Sequence, residues 1–385
     1  MNYWKAQVAK RVRVNGVKQL RGYSMKVLFV TCQHSFQVYG GVEVQMLGIR
    51  EHLERNGVKV KLFNPFEDNL ADYDIIHLWR PLGNPLDSAI LLNTAKKVGM
   101  KVVVSPIYWK PWKPVLSFEG NRMQFKLGSL IKILISSFIQ KSGNDLGFAS
   151  IYKFHTTILR SADLLLPNSW SEGHLIINAF NVNPGRIFPV PIGVEEKFAN
   201  AEPDQFINKY GVRDFLLFVG RIEPRKNVLN LIKVFNRTKL ETQLVIVGHT
   251  SDEEYYKNCL KAAEGNKNVI FCGFLSHESD LLTSAYAAAK ALVLPSWYET
   301  PGIVALEAGL AGANIAITKI GGTTEYFKDL AFYIDPTRTS SILKALIDSW
   351  RHEYTSKLKD YILKNYTMDK VAIKTLEAYK KVLGS

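Results

Sequence analysis

Short apolar runs alternate with amphipathic segments along most of the chain, and this pattern is typical of parallel strands covered by helices. In the first half, the pattern predicts strands at 26–31, 58–63, 75–79, 101–105 and 163–167. Helices are predicted between them, near 42–55, 86–98, 148–160 and 170–180. The alternation begins again in the second half, with strands at 215–219, 243–247, 268–271, 291–294 and 314–318. The chain is therefore predicted to contain two doubly wound α/β units, whose ligands bind beyond the carboxyl ends of the strands.

A proline-rich stretch at 188–193 separates the two series and marks the predicted domain boundary. We expect a first domain at 25–192 and a second at 193–365, with a cleft between them. A basic extension, residues 1–24, precedes the first domain, and an amphipathic helix is predicted at the end of the chain.

The composition of the 385-residue chain is that of a folded globular protein, with 47% hydrophobic and 22% charged residues. No run approaches the roughly 20 apolar residues that span a bilayer, and the start of the chain lacks the apolar core of a secretory signal. The three cysteines, Cys32, Cys259 and Cys272, form no C-x-x-C pair, and the eight histidines have no zinc-binding spacing. We therefore expect a cytoplasmic protein without a zinc site or redox-active cysteines.

The net charge of +14 is concentrated in the first half, where residues 1–200 hold 25 basic and 14 acidic side chains. A basic surface suits nucleic acid, an anionic membrane or an acidic substrate, and charge alone does not choose among them. The chain has no zinc spacing and no aromatic-basic motif for RNA, so we expect no nucleic-acid partner. The segment 126–141 has apolar residues at helical spacing with lysines outside the stripe. It predicts a helix that buries one face, or alternatively a helix that rests on an anionic membrane.

A loop in the second half carries residues that suit a phosphate group. The predicted strand 215–219 runs into Gly220 and Arg221, and Lys226 precedes the next helix. Backbone amides, a helix N-terminus and fixed cations converge in this way at phosphate sites. Taken alone, the same residues are typical of an ordinary surface turn.

A second loop follows the predicted strand 291–294 at the same edge of the sheet. Pro301 and Gly302 open a helix there, so the first amides of that helix are free to bind an anion. Glu299 lies just before the helix, and Glu307 lies two turns further on. Taken alone, Glu299 is typical of a helix-capping acid and Glu307 of a solvated helix residue.

Glu299 and Glu307, with seven residues between them, resemble the E-x7-E signature of retaining glycosyltransferases with the two-domain GT-B fold. The nearest resemblance is to glycosyltransferase family 4, also called glycosyltransferase group 1. The run 220–226 resembles the phosphate clamp of that family, and the segment 269–275 resembles its base-contacting loop. Gly40-Gly41, after the first strand, resembles its N-terminal glycine-rich loop.

The resemblance implies a role for each of these residues. Arg221 and Lys226 would hold the diphosphate of a nucleotide sugar and, with Glu299 at the donor sugar, form the catalytic group. Glu307 would accept hydrogen bonds from both ribose hydroxyls. The closing segment, 366–385, would pack back on the first domain. The other donor-binding residues that the resemblance implies are Gly40, Gly41, Gly220, Gly273, Phe274, Leu275, Thr300, Pro301, Gly302, Ile303 and Val304.

On the acceptor side, the chain departs from the family pattern. Many members have a His or a His-Asp pair after the strand that matches 101–105, and this chain has neither there. Tyr108 and Trp109 are candidates to stack on an acceptor sugar, although packing in the core is the preferred interpretation. His34 and His77 are further acceptor candidates, and a structural role is the preferred interpretation of each.

The residues and the resemblance together predict a retaining, metal-independent glycosyltransferase of polysaccharide biosynthesis that needs no cofactor. It would move a hexose from UDP-glucose or a related UDP-sugar to a hydroxyl of a glycan or lipid-linked oligosaccharide. We expect the reaction to occur in the cytoplasm. An alternative is that the protein also contacts the inner face of the membrane peripherally. The resemblance favours front-face attack over a carboxylate nucleophile. The alternatives are a GDP-mannose-dependent mannosyltransferase and a degenerate relative that binds a nucleotide sugar without transferring it.

Two other architectures are disfavoured by single features of the sequence. An NAD-dependent oxidoreductase would carry G-x-G-x-x-G after a strand, and no predicted strand is followed by it. The other common glycosyltransferase architecture holds a metal ion with D-x-D, and Asp72-Tyr73-Asp74 matches those letters. This motif precedes its strand, so we interpret it as a turn.

Overall fold

A computed structural model describes residues 24–31, 40–109, 146–250 and 252–384. The predicted helix at 126–141, His34, Cys32 and residues 1–23 of the extension lie outside these ranges. The described ranges contain eleven strands: β1 (Lys26–Val30), β2 (Lys59–Leu62), β3 (Ile75–Trp79), β4 (Lys101–Ser105), β5 (Leu164–Leu165), β6 (Phe215–Val219), β7 (Leu244–Val247), β8 (Val269–Gly273), β9 (Ala289–Leu294), β10 (Asn314–Thr318) and β11 (Phe332–Ile334).

Thirteen helices pack around these strands in the same ranges. None of them is long and apolar enough to cross a membrane. They are α1 (Gly41–Arg55), α2 (Pro85–Lys97), α3 (Leu146–Ser161), α4 (Trp170–Phe180), α5 (Asp204–Tyr210), α6 (Val228–Phe235), α7 (Glu253–Ala263), α8 (Asp280–Ala288), α9 (Ile303–Leu310), α10 (Thr323–Phe327), α11 (Thr339–Arg351), α12 (Lys357–Asn365) and α13 (Met368–Leu383).

The described strands form two parallel sheets, one in each half of the chain, as the sequence predicted. Their orders are β2-β1-β3-β4-β5 and β11-β10-β9-β6-β7-β8. Each predicted strand is present to within two residues at either end. The shortest, β5, ends early because Pro167 has no N–H to continue the ladder. The prediction missed β11, whose three residues are too few to show a strand pattern.

The central strands of both sheets are buried on both faces. All five residues of β6, at the centre of the second sheet, are apolar and buried. A continuous apolar strand of this kind is what a sheet covered on both sides by helices requires. The carboxyl ends of such strands remain open, so each sheet presents one edge of loops to a ligand.

The chain crosses between the two sheets at neighbouring points. The N–H of Val194 donates to Tyr366 O at 2.8 Å, and the N–H of Met368 donates to Val194 O at 2.9 Å. Helix α13 then packs against α1, with Val371 and Tyr379 fully buried in the core of the first sheet. The last helix of the chain therefore belongs structurally to the first sheet.

His77 lies inside this first core. Its Nδ1 is 2.7 Å from the Tyr379 hydroxyl, and its Nε2 is 2.9 Å from Ser105 Oγ. Its ring stacks on that of Trp79, with the centroids 4.4 Å apart. Burial lowers the pKa of His77 to about 3, so the imidazole is neutral. His77 is therefore a structural residue that joins α13 to β3 and β4.

Candidate active site

The carboxyl edges of the two sheets face each other across a cleft. Gly41, at the start of α1, lies against Ile303 of α9, where an added Cβ would be 2.7 Å from the Ile303 Cδ1. The Trp109 ring, beyond β4, lies with its centroid 6.0 Å from that of Tyr298, beyond β9. The predicted donor loops and acceptor loops therefore meet at this cleft.

The loop after β6 is tied to the loops of both neighbouring strands. Gly220 has a φ of +150°, and its N–H donates to Val247 O at 3.0 Å. Asn227 begins α6 with a left-handed φ of 61°, and its side-chain amide donates to Pro295 O at 3.1 Å. Within this frame, the Arg221 side chain is 52% exposed, whereas that of Lys226 is only 12% exposed. The frame thus presents one exposed cation, Arg221, and one buried cation, Lys226, at the same edge.

Glu299 and Lys226 form a buried ion pair between these loops. The Lys226 Nζ donates to Glu299 Oε1 at 2.5 Å, and Ser296 Oγ donates to the same oxygen at 2.6 Å. Burial favours the neutral acid, but the charges of Lys226 and Arg225 and these hydrogen bonds outweigh it. The pKa of Glu299 therefore lies below its usual value, and the carboxylate is charged.

Glu299 is also fixed through its backbone. Its N–H donates to Ile320 O, and its carbonyl accepts from the N–H of Gly322, both at 3.1 Å. Gly321 approaches so closely that an added Cβ would lie 1.9 Å from the Glu299 carbonyl oxygen. Gly302, with a left-handed φ of 85°, is the N-cap of α9. Glu299 therefore does not cap that helix.

Glu307 lies on α9 and is only 1% exposed, so it is not a solvated helix residue. Its Oε1 is 2.7 Å from His277 Nε2, and its Oε2 accepts from the Tyr286 hydroxyl at 2.8 Å. Burial alone would lower the pKa of His277, but the hydrogen bond and charge of Glu307 outweigh it and raise that pKa. Burial and the same carboxylate raise the pKa of Tyr286 well above its usual value, so its hydroxyl keeps its proton.

The predicted base-contacting loop begins at the end of β8. Gly273 is exposed and has a left-handed φ of 70°. The Phe274 ring is 64% exposed and packs edge-on against that of His249, with the centroids 5.3 Å apart. Leu275 packs against the core instead. The exposed rings of Phe274 and His249 therefore lie beside the exposed backbone of Gly273, which is accessible to a ligand.

On the acceptor side, Tyr108 and Trp109 point to different surroundings. The Tyr108 ring packs edge-on against Phe180 at 5.1 Å, whereas Trp109 is 37% exposed at the cleft. The buried Glu172 carboxylate accepts from the Tyr108 N–H at 2.7 Å, and burial raises the pKa of Glu172 to about 7. The Glu172 side chain also forms a hydrogen bond with the backbone of Ile107. This bond helps to hold Ile107 at a φ of 49°, which is unusual for a branched residue.

Glu325, on α10 of the second half, contacts the start of α4 in the first half. Its carboxylate accepts from the N–H of Trp170 at 2.8 Å and from the N–H of Ser171 at 2.6 Å. The neighbouring Tyr326 hydroxyl accepts from the N–H of Ile192 at 2.8 Å and donates to Asn168 O at 2.7 Å. This contact holds the two sheets together beside the cleft.

The D-x-D letters lie far from this cleft. Asp72 ends a short 3-10 turn and Asp74 accepts from the N–H of Lys26 at 2.9 Å, both at the amino end of β3. In the described part of the chain, no three His, Cys, Asp or Glu side chains are grouped as metal ligands. Cavities of about 250 and 330 Å³ also lie at amino ends of strands, the first beside Asp72 and the second beside Asn314.

The structure adds residues to the site that the sequence analysis did not select. Arg225 donates to Tyr298 O at 3.2 Å and lies beside the ion pair. Ser296 shares the bonded oxygen of Glu299, while His277 and Tyr286 hold Glu307. Of these, His277 carried the clearest signal, because it lies only two residues beyond the base-contacting loop.

Comparisons with known proteins identify relatives of this chain. Residues 201–367 match the family described as glycosyl transferases group 1. An uncharacterized glycosyltransferase of Methanocaldococcus jannaschii is 25% identical over 92% of this chain and 98% of its own length. The O-antigen chain mannosyltransferase B of Escherichia coli is 25% identical over 58% of this chain and 61% of its own length.

A solved structure shares the whole fold. HepE of Anabaena in complex with UDP-glucose superposes with a TM-score of 0.68 at 16% identity, covering 93% of this chain and 100% of its own. This likeness confirms the predicted GT-B arrangement of two facing α/β sheets. The second half of the chain thus matches the group 1 glycosyl transferases, its full-length relative is named as a glycosyltransferase, and the whole chain has the GT-B fold.

Proposed function

We propose that the chain is a retaining, metal-independent enzyme of family 4 that transfers a hexose from a UDP-sugar, with UDP-glucose the favoured donor. The acceptor would be a hydroxyl of a glycan or lipid-linked oligosaccharide in polysaccharide biosynthesis. The observation that carries the proposal is the convergence of a fixed cation, Lys226, and two buried carboxylates, Glu299 and Glu307, at one edge of the second sheet.

The chemistry of a departing diphosphate fits this edge. Breaking the bond between the anomeric carbon and the phosphate oxygen leaves negative charge on the diphosphate. Arg221, Lys226 and the first amides of α9 would stabilise that charge, because they are oriented before the reaction begins. Glu307 would fix the nucleotide through its ribose, and the amides at 273–275 would face the base.

Front-face attack is the mechanism that the state of Glu299 supports. Its Oε1 already accepts bonds from Lys226 and Ser296, which withdraw electron density from the carboxylate. A carboxylate held in this way is a poor nucleophile but a good group for positioning the donor sugar. The acceptor hydroxyl would then attack from the side of the leaving diphosphate, which would take the hydroxyl proton as the new glycosidic bond forms.

Two neighbours bear on the donor. The complex of HepE with UDP-glucose supports a uridine nucleotide. The relative named as a mannosyltransferase favours a second candidate, a GDP-mannose-dependent transfer at the same site. The basic excess of residues 1–200 is also consistent with the proposed peripheral contact with an anionic membrane, where a lipid-linked acceptor would lie.

We expect UDP to bind the purified protein in the presence of EDTA and to bind more weakly to Glu307→Ala, by roughly 10- to 30-fold. The reason is that Glu307→Ala removes the carboxylate that would accept hydrogen bonds from both ribose hydroxyls. Calorimetric titration with UDP, GDP and NAD measures it, with the exposed Glu353→Ala as the matched control. Glu307→Gln, which keeps the size of the side chain, separates loss of charge from loss of packing.

The outcomes of this titration are distinct. Tight GDP binding with weak UDP binding would move the assignment to the second candidate. Binding that needs a divalent metal would contradict the metal-independent mechanism. A protein that binds no nucleoside diphosphate would contradict the donor site altogether.

A further inference from the structure

The carboxylate of Glu307 is held on both oxygens by side chains of the protein. His277 bonds Oε1 and Tyr286 bonds Oε2, at 2.7 and 2.8 Å. Each carboxylate oxygen can accept two hydrogen bonds, so one acceptor position on each oxygen is left. His277 and Tyr286 therefore determine the direction from which each oxygen of Glu307 can accept a further hydrogen bond.

His277 is placed to connect two parts of the site. It lies in the loop between β8 and α8, two residues after the segment 273–275, whereas Glu307 lies on α9. Since a carboxylate only accepts, the ring must carry a proton on Nε2. The other charged groups near the ring are Glu278, whose Oε1 is 3.5 Å from Nδ1, and Lys197.

The ring is also confined by packing. The Phe198 ring meets it at an angle of 61° with the centroids 5.9 Å apart, and the His277 side chain is only 21% exposed. Its Nδ1 is buried, and the contact of this atom with Glu278 Oε1, at 3.5 Å, is longer than an ordinary hydrogen bond. The bond to Glu307 is therefore the interaction that sets the ring's orientation.

We infer that His277 is a positioning residue for the donor: it orients the Glu307 carboxylate toward the ribose and connects the base-contacting loop to α9. This inference rests on the proposed function, in which Glu307 binds the ribose hydroxyls. Its specific consequence is that His277 affects the recognition of the ribose more than that of the base or the diphosphate.

The test compares UDP with 2′-deoxy-UDP, which lacks one of the two hydroxyls. We expect the wild type to prefer UDP by about tenfold, the effect of one such hydrogen bond. His277→Phe keeps a ring but donates nothing, so we expect UDP to bind roughly 5- to 10-fold more weakly, with a smaller loss for 2′-deoxy-UDP, which has only one ribose hydroxyl to lose. His277→Gln offers an N–H donor from a side chain of similar length and should restore most of the preference.

Two further variants complete the design. Tyr286→Phe removes the donor to Oε2 without changing the shape of the core, and it should reduce the same preference even if His277→Phe fails to fold. His352→Phe is the matched control, because His352 is exposed at the opposite edge of the second sheet. If the wild type binds GDP in preference to UDP, GDP and 2′-deoxy-GDP replace the ligand pair.

The ribose role of Glu307 and the positioning role of His277 are contradicted by different results. A wild type that does not distinguish the two nucleotides contradicts the ribose role of Glu307, and the inference falls with it. A wild type that distinguishes them, with His277→Phe and Tyr286→Phe losing affinity for both equally, overturns the inference alone. In that case the two side chains serve only to pack the core.

Discussion

Replacing Lys226 by methionine is expected to slow the release of UDP from UDP-glucose by roughly 30- to 1,000-fold. The buried ammonium lies 2.5 Å from Glu299 and faces the proposed position of the diphosphate. Methionine is unbranched and only one atom shorter, and it removes both the charge and the hydrogen-bond donors. Stabilisation of the departing phosphate is needed most in the transition state, so the turnover rate should fall more than the affinity for UDP.

The release of UDP, with and without added acceptor sugars, measures this effect. Lys233→Met is the matched control, since Lys233 is exposed on α6, more than one turn into the helix that follows the loop. Loss of Lys226 also leaves Glu299 with fewer partners, so the melting temperature of each variant is recorded beside its rate. A folded Lys226→Met protein with the wild-type rate would exclude Lys226 from the chemistry.

His77 is expected to make the folded state less stable in acid. Its pKa is about 3 in the native protein and near 6.5 in the unfolded chain. Below pH 6.5 the unfolded chain takes up a proton that the native state refuses, so unfolding becomes more favourable as the pH falls toward 3. At pH 5 the loss is about 2 kcal/mol, and it is absent above pH 7.

Denaturant unfolding at pH 7.5 and pH 5 measures the effect as a difference between variants. His77→Gln has no proton to gain and should lose about 2 kcal/mol less than the wild type over this interval. His174→Gln, at an exposed site on α4, should behave like the wild type. An equal loss in wild type and His77→Gln would show that other groups cause the acid sensitivity.

The sequence located the sheets because its strands are apolar runs that end at glycine, proline or polar residues. The same strand ends predicted which loops share an edge, and thereby brought Arg221, Lys226 and Glu299 together. Their chemical roles and the GT-B assignment came from the family resemblance. Strand β11 could not be predicted in this way, since a strand of three residues is too short to show a hydrophobic periodicity.

The partners of the buried carboxylates could not be predicted in the same way. Tyr286 precedes Glu307 by 21 residues and reaches it only because α8 and α9 pack together. Periodicity reports that a residue faces inward, but it does not report which polar group it meets there. Taken alone, Glu307 therefore had the pattern of a solvated residue, although the packing of α8 against α9 keeps it buried.

The contact of Glu325 with α4 makes the opening of the cleft observable through two backbone amides. Amides at the start of a helix have no partner within the helix, so those of Trp170 and Ser171 are shielded by Glu325, a residue of the other half of the chain. Whenever the cleft opens, both amides meet water and exchange their hydrogens. Hydrogen–deuterium exchange in the peptide around residue 170 therefore reports how often the cleft opens, without a probe attached to the protein. Glu325→Gln, which weakens the shield, should make that exchange faster.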